Sequence, residues 1–295
     1  LRVNGTQVAE VWDAFSSHDF DVTDLIRVEG TNEIALGTSN RNGFAAPDAT
    51  EEQIRKVDGD FLIAPVGNVG ANNTRPVIGV WGEIELWARP ARRIEDVFIR
   101  PSFRGKRLDV DVHVAGTGSN DIEIAVLDAD NKQIVRFSDS SSTAQSTLSA
   151  PWPDPRLWMP HDPYLYTLEV TLRDQKTERV LDTRQVPFGF RDIWIDGENL
   201  VLNGKRLFLA RTSFTPTSER DAETYIKLAK TEGANAVRLH MDDFYRPGAF
   251  AHYADRVGML VIPASPLSWT PWYRMKDAQF WTNYEDQLVS WVRGA

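Results

Sequence analysis

Apolar and polar residues alternate along several short segments in the first two thirds of the chain. In Leu108–Val114 the apolar residues fall on one face of a strand, and the polar residues on the other face are expected to meet solvent. These polar residues are Asp109, Asp111 and His113. The segment Tyr164–Leu172 repeats the alternation. Both segments therefore predict strands that are buried on one side only.

Seven or so such strands over about 100 residues are typical of an immunoglobulin-like β-sandwich, which we expect at residues 92–191. Inside it, the Ser- and Thr-rich stretch 138–149 is expected to be a loop. Residues 1–91 also carry an all-β pattern, with a predicted strand at Ile84–Trp87. The Gly-, Asn- and Pro-rich stretch Thr38–Pro76 is expected to be a long loop that could reach an active site.

The pattern changes at Ile193, from strands alone to strands that alternate with helices. Apolar runs predict strands at Leu207–Ala210, Ala236–Val237 and Met259–Ile262. Helical periodicity lies between and after them, and Gly233 and Gly258 are expected to stop the first two helices. Alternating β and α units predict a parallel sheet. After a lead-in of β-sandwiches, the first three or so units of a (β/α)8 TIM barrel are favoured, over residues 192–295.

Composition narrows the class of function. The net charge of -9 argues against a nucleic-acid partner, which favours a basic surface. No apolar run is long enough to span a membrane, so no membrane partner is expected. The chain has no cysteine, which excludes disulfides and thiolate metal sites and leaves the cellular compartment open. It starts at Leu1 and stops at Ala295 inside predicted elements, so we expect it to be part of a longer polypeptide.

Short motifs run along the chain from near the first residue to near the last. They are Asp19–Asp24 with Gly30–Asn32, Gly79–Trp81 with Val97–Pro101, Leu157–Pro160 with Pro163–Tyr166, Phe188–Arg191, Leu202–Lys205, Asn235–Arg238, Ala254–Gly258 and Pro266–Trp269. In this order, the motifs resemble those of glycoside hydrolase family two of the β-galactosidase and β-mannosidase type. One such motif would be weak evidence, but the ordered set is specific.

The resemblance implies a retaining exo-β-glycosidase that acts on a terminal β-linked sugar and uses two glutamates, with no metal or other cofactor. It also implies that residues 1–91 are a jelly-roll sugar-binding-like domain. Both glutamates are expected beyond Ala295, so the catalytic partner would be the rest of the same polypeptide. The alternative is a non-catalytic carbohydrate-binding or scaffold protein with the same fold. The identity of the sugar and the formation of a homo-oligomer stay open.

Five residues near predicted strand ends are candidates for substrate binding. Arg238 and His240 end the second barrel strand, where a TIM barrel carries its active site, although a structural ion pair and a backbone contact would also explain them. Asp242 could accept hydrogen bonds from sugar hydroxyls or belong to a solvated turn. Trp269 and Trp272 could stack on a pyranose ring, or pack as a lid or in the core. A weaker alternative uses His240 and Asp242, with His252, as metal ligands.

Overall fold

A computed structural model describes residues 1–11, 17–38, 80, 84–214, 219–240, 247–264, 267 and 274–293. The strands are β1 (Arg2–Val3), β2 (Thr6–Gln7), β3 (Ile34–Ala35), β4 (Arg93–Ser102), β5 (Arg107–Ala115), β6 (Asn120–Leu127), β7 (Gln133–Ser141), β8 (Gln145–Pro151), β9 (Tyr166–Asp174), β10 (Val180–Phe188), β11 (Ile193–Asp196), β12 (Asn199–Leu202), β13 (Lys205–Leu207), β14 (Arg211–Phe214), β15 (Ala236–His240) and β16 (Leu260–Ala264). The helices are α1 (Glu219–Thr231), α2 (Pro247–Val257) and α3 (Ala278–Arg293), and 3-10 turns lie at Thr23–Leu25 and Arg274–Lys276.

Two antiparallel sheets pack face to face in the middle of the chain. Their strand orders are β4–β5–β8 and β10–β9–β6–β7. The inward side chains of both sheets form one core, in which Leu108 and Val110 of β5 meet Ile124 of β6 and Leu168 of β9 without exposure to solvent. Burial of these alternate residues drives the association of the two sheets. The predicted β-sandwich is confirmed in this region.

The Ser- and Thr-rich stretch 138–149, expected to be a loop, is mostly strand. Strand β7 extends to Ser141 and β8 begins at Gln145. Along β8 the buried positions alternate with exposed ones, and Leu148 and Ala150 point into the core. The loop prediction was wrong because small hydroxyl residues occupy the outer face of an edge strand, where they have the composition of a loop.

Asp109 does not face the solvent as the alternation predicted, since it is only 6% exposed. Its carboxylate accepts hydrogen bonds from Ser149 Oγ at 2.6 Å and from Arg107 Nε at 2.8 Å. Burial alone would raise the pKa of Asp109, but these bonds and the charges of Arg107 and Arg100 hold it below its usual range. The outer face of the sheet is therefore covered by its own polar side chains.

In the amino-terminal region, the described strands form a small antiparallel sheet of order β2–β1–β3. The predicted strand Ile84–Trp87 is wrong, because these residues carry no strand pairing and Trp87 is 61% exposed. The Trp87 indole N–H donates to Glu85 Oε2 at 3.0 Å. Most of the predicted loop Thr38–Pro76 lies outside the described residues, as do several parts of the predicted jelly roll.

After the sandwich, a three-stranded antiparallel sheet of order β11–β12–β13 leads into a three-stranded parallel sheet of order β14–β15–β16. Helices α1 and α2 follow β14 and β15 along the chain, and α3 follows β16. Gly233 and Gly258 end the first two helices with positive φ angles of 85° and 75°, which confirms both predicted stops. The alternation of strands and helices predicted for this region is confirmed.

The first strand of the parallel sheet is not at Leu207–Ala210, where the sequence predicted it. It is at Arg211–Phe214, and Phe208 is 82% exposed. The prediction followed the apolar run, but the parallel pairing aligns Arg211 with Ala236 and Phe214 with Leu239. In the described part of the chain, no helix is long and apolar enough to cross a membrane.

Candidate functional site

The carboxyl ends of the three parallel strands meet at one edge of their sheet. The register pairs Ser213 of β14 with Arg238 of β15, and Arg238 with Ile262 of β16. Val237 and Leu239, which flank Arg238, are fully buried in a cluster with the helices α1 and α2. Because side chains alternate along a strand, Arg238 lies on the face of the sheet that points away from those helices. A closed barrel of such units would have this face as its interior.

A tyrosine from α1 holds the end of β14. The Tyr225 hydroxyl donates to the backbone oxygen of Ser213 at 3.0 Å and is also hydrogen-bonded to the Thr212 hydroxyl. Ser213 is the register partner of Arg238, so Tyr225 stabilises the strand end beside Arg238. Tyr225 was not among the residues predicted from the sequence. Its position beside Ile226 on the apolar face of α1 was the available signal.

The five predicted binding residues are described to very different extents. Arg238 is half-buried at the strand end. His240 is the last residue of β15, and its backbone is in register with Ala264 of β16. Asp242, Trp269 and Trp272 lie outside the described residues. The backbone therefore places Arg238 and His240 on one strand end, and the other three roles stay predictions.

The sandwich and the βα units meet at a second cluster, which we call the junction and define by Trp158, Asn203, Lys230, Arg191 and Asp255. Trp158 is completely buried, and its indole N–H donates to the backbone oxygen of Asp255 at 2.8 Å. The Arg191 guanidinium donates from Nη1 to Asp255 Oδ1 at 2.6 Å. It also lies 4.6 Å from the centre of the Trp158 ring. One indole and one guanidinium thus fix the last turn of α2 to the sandwich.

Lys230 of α1 and Asn203 of the turn between β12 and β13 complete the junction. Lys230 Nζ donates to Pro160 O at 3.0 Å, to Gly258 O at 3.2 Å and to Val257 O, and burial lowers the pKa of its ammonium group. Asn203 Nδ2 donates to Trp158 O at 2.9 Å. Carbonyl groups at the end of a helix carry partial negative charge, so an ammonium group there is stabilising.

The backbone at the junction is closely packed. Gly258 follows α2, and a Cβ atom there would lie 2.2 Å from Pro160 O. Gly189 lies against the Trp158 ring, and a Cβ atom there would lie 2.8 Å from ring carbons. Only glycine leaves room for these approaches. Gly258 is therefore required by the contact of α2 with the sandwich, and Gly189 by the packing of Trp158 within the sandwich.

Comparison with known proteins shows what the chain is similar to. The sequence model described as Glycosyl hydrolases family 2 matches residues 92–191. A β-galactosidase from Streptococcus thermophilus is 27% identical over 280 residues, which cover 90% of this chain. This alignment extends well beyond the sandwich. Residues 92–191 therefore carry a glycosyl hydrolase family 2 sequence, and the chain as a whole is similar to a β-galactosidase.

Two further proteins are similar to this chain, one in sequence and one in fold. The β-galactosidase large subunit of Latilactobacillus sakei is 27% identical over 269 residues, covering 86% of this chain. The solved structure of Bifidobacterium dentium β-glucuronidase with coumarin-3-O-glucuronide has a TM-score of 0.59 at 18% identity, and the match covers 69% of this chain and 36% of that one. The chain spans 24% of the Streptococcus thermophilus relative and 37% of the Latilactobacillus sakei relative.

Several motifs that resemble family 2 meet at the junction rather than at the strand ends. Leu157–Pro160 supplies Trp158, Phe188–Arg191 supplies Arg191, and Ala254–Gly258 supplies Asp255 and the closely packed glycine. Leu202–Lys205 supplies Asn203, which binds the backbone of Trp158. The residues of these motifs therefore make the contacts that hold the sandwich against the βα units.

Other surfaces of the described residues offer little for binding. An open depression of about 530 Å³ lies on the outer face of β6, β7 and β9, and there Glu123 Oε2 pairs with Arg136 Nη2 at 2.6 Å. No group of three or more His, Asp or Glu residues in the described part of the chain is arranged to hold a metal ion. Asp242 falls outside that part, so the weaker metal-site prediction stays untested.

Proposed function

We propose that this chain is the amino-terminal and central part of a retaining exo-β-glycosidase. The proposal is supported by the alignment with a β-galactosidase, which continues from the sandwich through the βα units over 90% of the chain. We divide the chain into a jelly-roll domain at 1–91, an immunoglobulin-like sandwich at 92–191 and the first three units of a TIM barrel at 192–295. The parallel sheet β14–β15–β16 supports the barrel, because its helices cover one face and leave Arg238 on the other.

In this proposal, the chemistry is a double displacement by two glutamates that both lie outside Leu1–Ala295. Retaining enzymes place two carboxyl groups about 5 Å apart, one as the nucleophile and the other as acid and then base. Arg238 contributes a permanently charged fork of N–H donors at the carboxyl end of β15. From that position it can donate to sugar hydroxyls or to a catalytic carboxylate.

The other four predicted residues keep substrate-binding roles in the proposal. His240, the last residue of β15, keeps its predicted role as a substrate-binding residue. Asp242 would accept hydrogen bonds from hydroxyl groups. Trp269 and Trp272 would offer flat apolar surfaces to the C–H face of a pyranose.

The substrate is proposed to be a terminal β-galactoside or β-glucuronide, because relatives and structural neighbours with these activities in their names match the chain. A β-mannoside remains the third substrate to test. The relative named as a large subunit supports a proposal that the intact protein works as an oligomer.

The test uses the intact protein with a panel of nitrophenyl β-glycosides that includes the galactoside, glucuronide, mannoside and glucosaminide. Hydrolysis of one of them, with a β-anomer as the first product by NMR, is the expected result. Arg238→Ala should lower kcat/KM about 100-fold, whereas Arg136→Ala on the sandwich surface should leave it within about twofold. If no glycoside is hydrolysed and sugars still bind by calorimetry, the protein is a non-catalytic carbohydrate-binding protein.

A further inference from the structure

Asn235, directly before β15, binds the chain segment that leads into β14 through both ends of its side-chain amide. Its Oδ1 accepts the backbone N–H of Ala210 at 2.9 Å, and its Nδ2 donates to the backbone oxygen of Phe208 at 2.7 Å. The carboxamide thus bonds to a backbone donor and a backbone acceptor two residues apart. It acts as one more rung of the ladder between β14 and β15.

The backbone of Asn235 connects the same place to both neighbouring strands. Its N–H donates to Ala210 O at 3.0 Å, and its carbonyl oxygen accepts the N–H of Leu260, the first residue of β16, at 2.9 Å. One residue therefore holds the amino ends of all three parallel strands. Four hydrogen bonds converge on it, two from the side chain and two from the backbone.

The register that Asn235 holds decides where Arg238 lies. A shift of β15 by one residue would turn Arg238 to the helix-covered face, and a shift by two would move it about 6.6 Å along the sheet. Strand β14 has only four residues, and Phe208, in the segment before it, is largely exposed and adds little packing. The amide contacts of Asn235 are therefore a main constraint on register at this end.

We infer that Asn235 is a positioning residue, which sets the register of β14, β15 and β16 and thereby places Arg238 at the substrate. The inference rests on the proposed role of Arg238. Asn235 itself lies three residues before Arg238, about 10 Å along the strand, so it does not reach the substrate.

The chemistry of the contact requires an amide. Aspartate has the same shape and can accept the N–H of Ala210, but its carboxylate cannot donate to Phe208 O and would repel it. Asn235→Asp therefore removes one of the two side-chain bonds with almost no change of volume. Asn131→Asp is the matched control, because Asn131 is exposed in the turn between β6 and β7 and is not part of the parallel sheet.

The experiment measures kcat and KM of the intact protein, on its preferred nitrophenyl glycoside, for the native fraction of each variant. Asn235→Asp should lower kcat/KM by about 10-fold or more, while Asn131→Asp stays within about twofold. In the background of Arg238→Ala, the same Asn235→Asp change should lower kcat/KM by less than about twofold, because its effect acts through Arg238. If Asn235→Asp does not fold, Asn235→Ser replaces it in the cycle.

A second measurement separates this inference from the proposed function. Hydrogen exchange of the peptides 208–214 and 235–240 should be faster in Asn235→Asp, and exchange in the sandwich should not change. Unchanged exchange at the strands, or a loss of kcat/KM that persists fully in the Arg238→Ala background, would overturn the inference. If Arg238→Ala alone leaves activity intact, the role of Arg238 fails, and the exchange result still decides whether Asn235 sets the register.

Discussion

Arg191 of the sandwich and Asp255 of α2 form an ion pair, with Nη1 and Oδ1 2.6 Å apart, across a sequence separation of 64 residues. The guanidinium lies between this carboxylate and the ring of Trp158. The Trp158 indole in turn binds the backbone of Asp255. The three groups share partners, so their contributions to stability should not be additive.

Arg191→Lys should destabilise the chain by about 1 kcal/mol, because an ammonium group cannot both stack on Trp158 and donate in the geometry of the guanidinium. In a double-mutant cycle with Asp255→Asn, the coupling energy should be about 0.5–1.5 kcal/mol, measured by urea unfolding. Arg136→Lys, in the exposed pair with Glu123, is the control and should change stability by less than about 0.5 kcal/mol. Additive effects at Arg191 and Asp255 would contradict the shared contact.

Gly258→Ala should destabilise the chain strongly, since the new methyl group would lie 2.2 Å from Pro160 O. Gly233→Ala provides the matched control, because Gly233 also has a positive φ angle but has no heavy atom within 4 Å of its Cβ position. The control should lose only about 1–2 kcal/mol of folding stability, which is the cost of a positive φ angle for a residue that has a Cβ atom. We expect Gly258→Ala to lower the melting temperature clearly further, and equal shifts would contradict a close contact at the junction.

Lys230→Met should destabilise the chain by about 2 kcal/mol, because the variant keeps most of the apolar stem but leaves three carbonyl groups without their charged donor. Lys227→Met on the same helix is the control. Lys227 is exposed, and its Nζ lies 3.8 Å from Glu223 Oε2. Its replacement should therefore lower the free energy of unfolding by less than about 0.5 kcal/mol. Chemical denaturation of both variants at pH 7 measures the difference, and an equal loss would argue against the carbonyl contacts.

Acid should destabilise the sandwich partly through Asp174. A hydrogen bond from Arg92, followed by bonds from Thr177, lowers the pKa of Asp174 well below its usual range in the folded chain. A carboxyl group with a lowered folded pKa contributes stability above its unfolded pKa of about 4, and this contribution is lost as the pH falls below that value. In Asp174→Asn, the decrease in melting temperature between pH 5 and pH 3 should therefore be smaller.

Arg92→Met tests the same linkage from the other partner. It removes the largest cause of the lowered pKa, so it should also flatten the acid dependence. Adding Asp174→Asn to Arg92→Met should then change the pH profile little further. A steep profile that survives in both single variants would assign the acid sensitivity to other carboxylates.

The sequence correctly predicted the elements that are determined by neighbouring residues. The alternation in β5 and β9, the helical spacing in α1 and the glycine stops at Gly233 and Gly258 all follow from residues close in sequence. The first parallel strand was misplaced because its position is set by pairing with β15 and by Asn235, not by the apolar run before it.

At the candidate site, the end of β15 could be predicted, because an apolar run that ends in Arg238 is a local signal. The junction could not, since Trp158 and Asp255 are 97 residues apart and their contact is an indole N–H with a backbone oxygen. Such a pairing leaves no periodicity in the sequence. The motif residues could be recognised in the sequence, but the contacts between them are seen only in the folded structure.

The last turn of α2 has a further consequence for dissecting the protein. The carbonyl oxygen of Asp255 accepts its hydrogen bond from the indole of Trp158, in the sandwich, and the Asp255 carboxylate accepts one from Arg191. A recombinant piece that starts after Arg191 would lack both groups and would expose the end of this helix to water. We therefore expect the sandwich and the βα units to unfold in one cooperative transition. Neither part, produced alone, should keep the structure that it has in the chain.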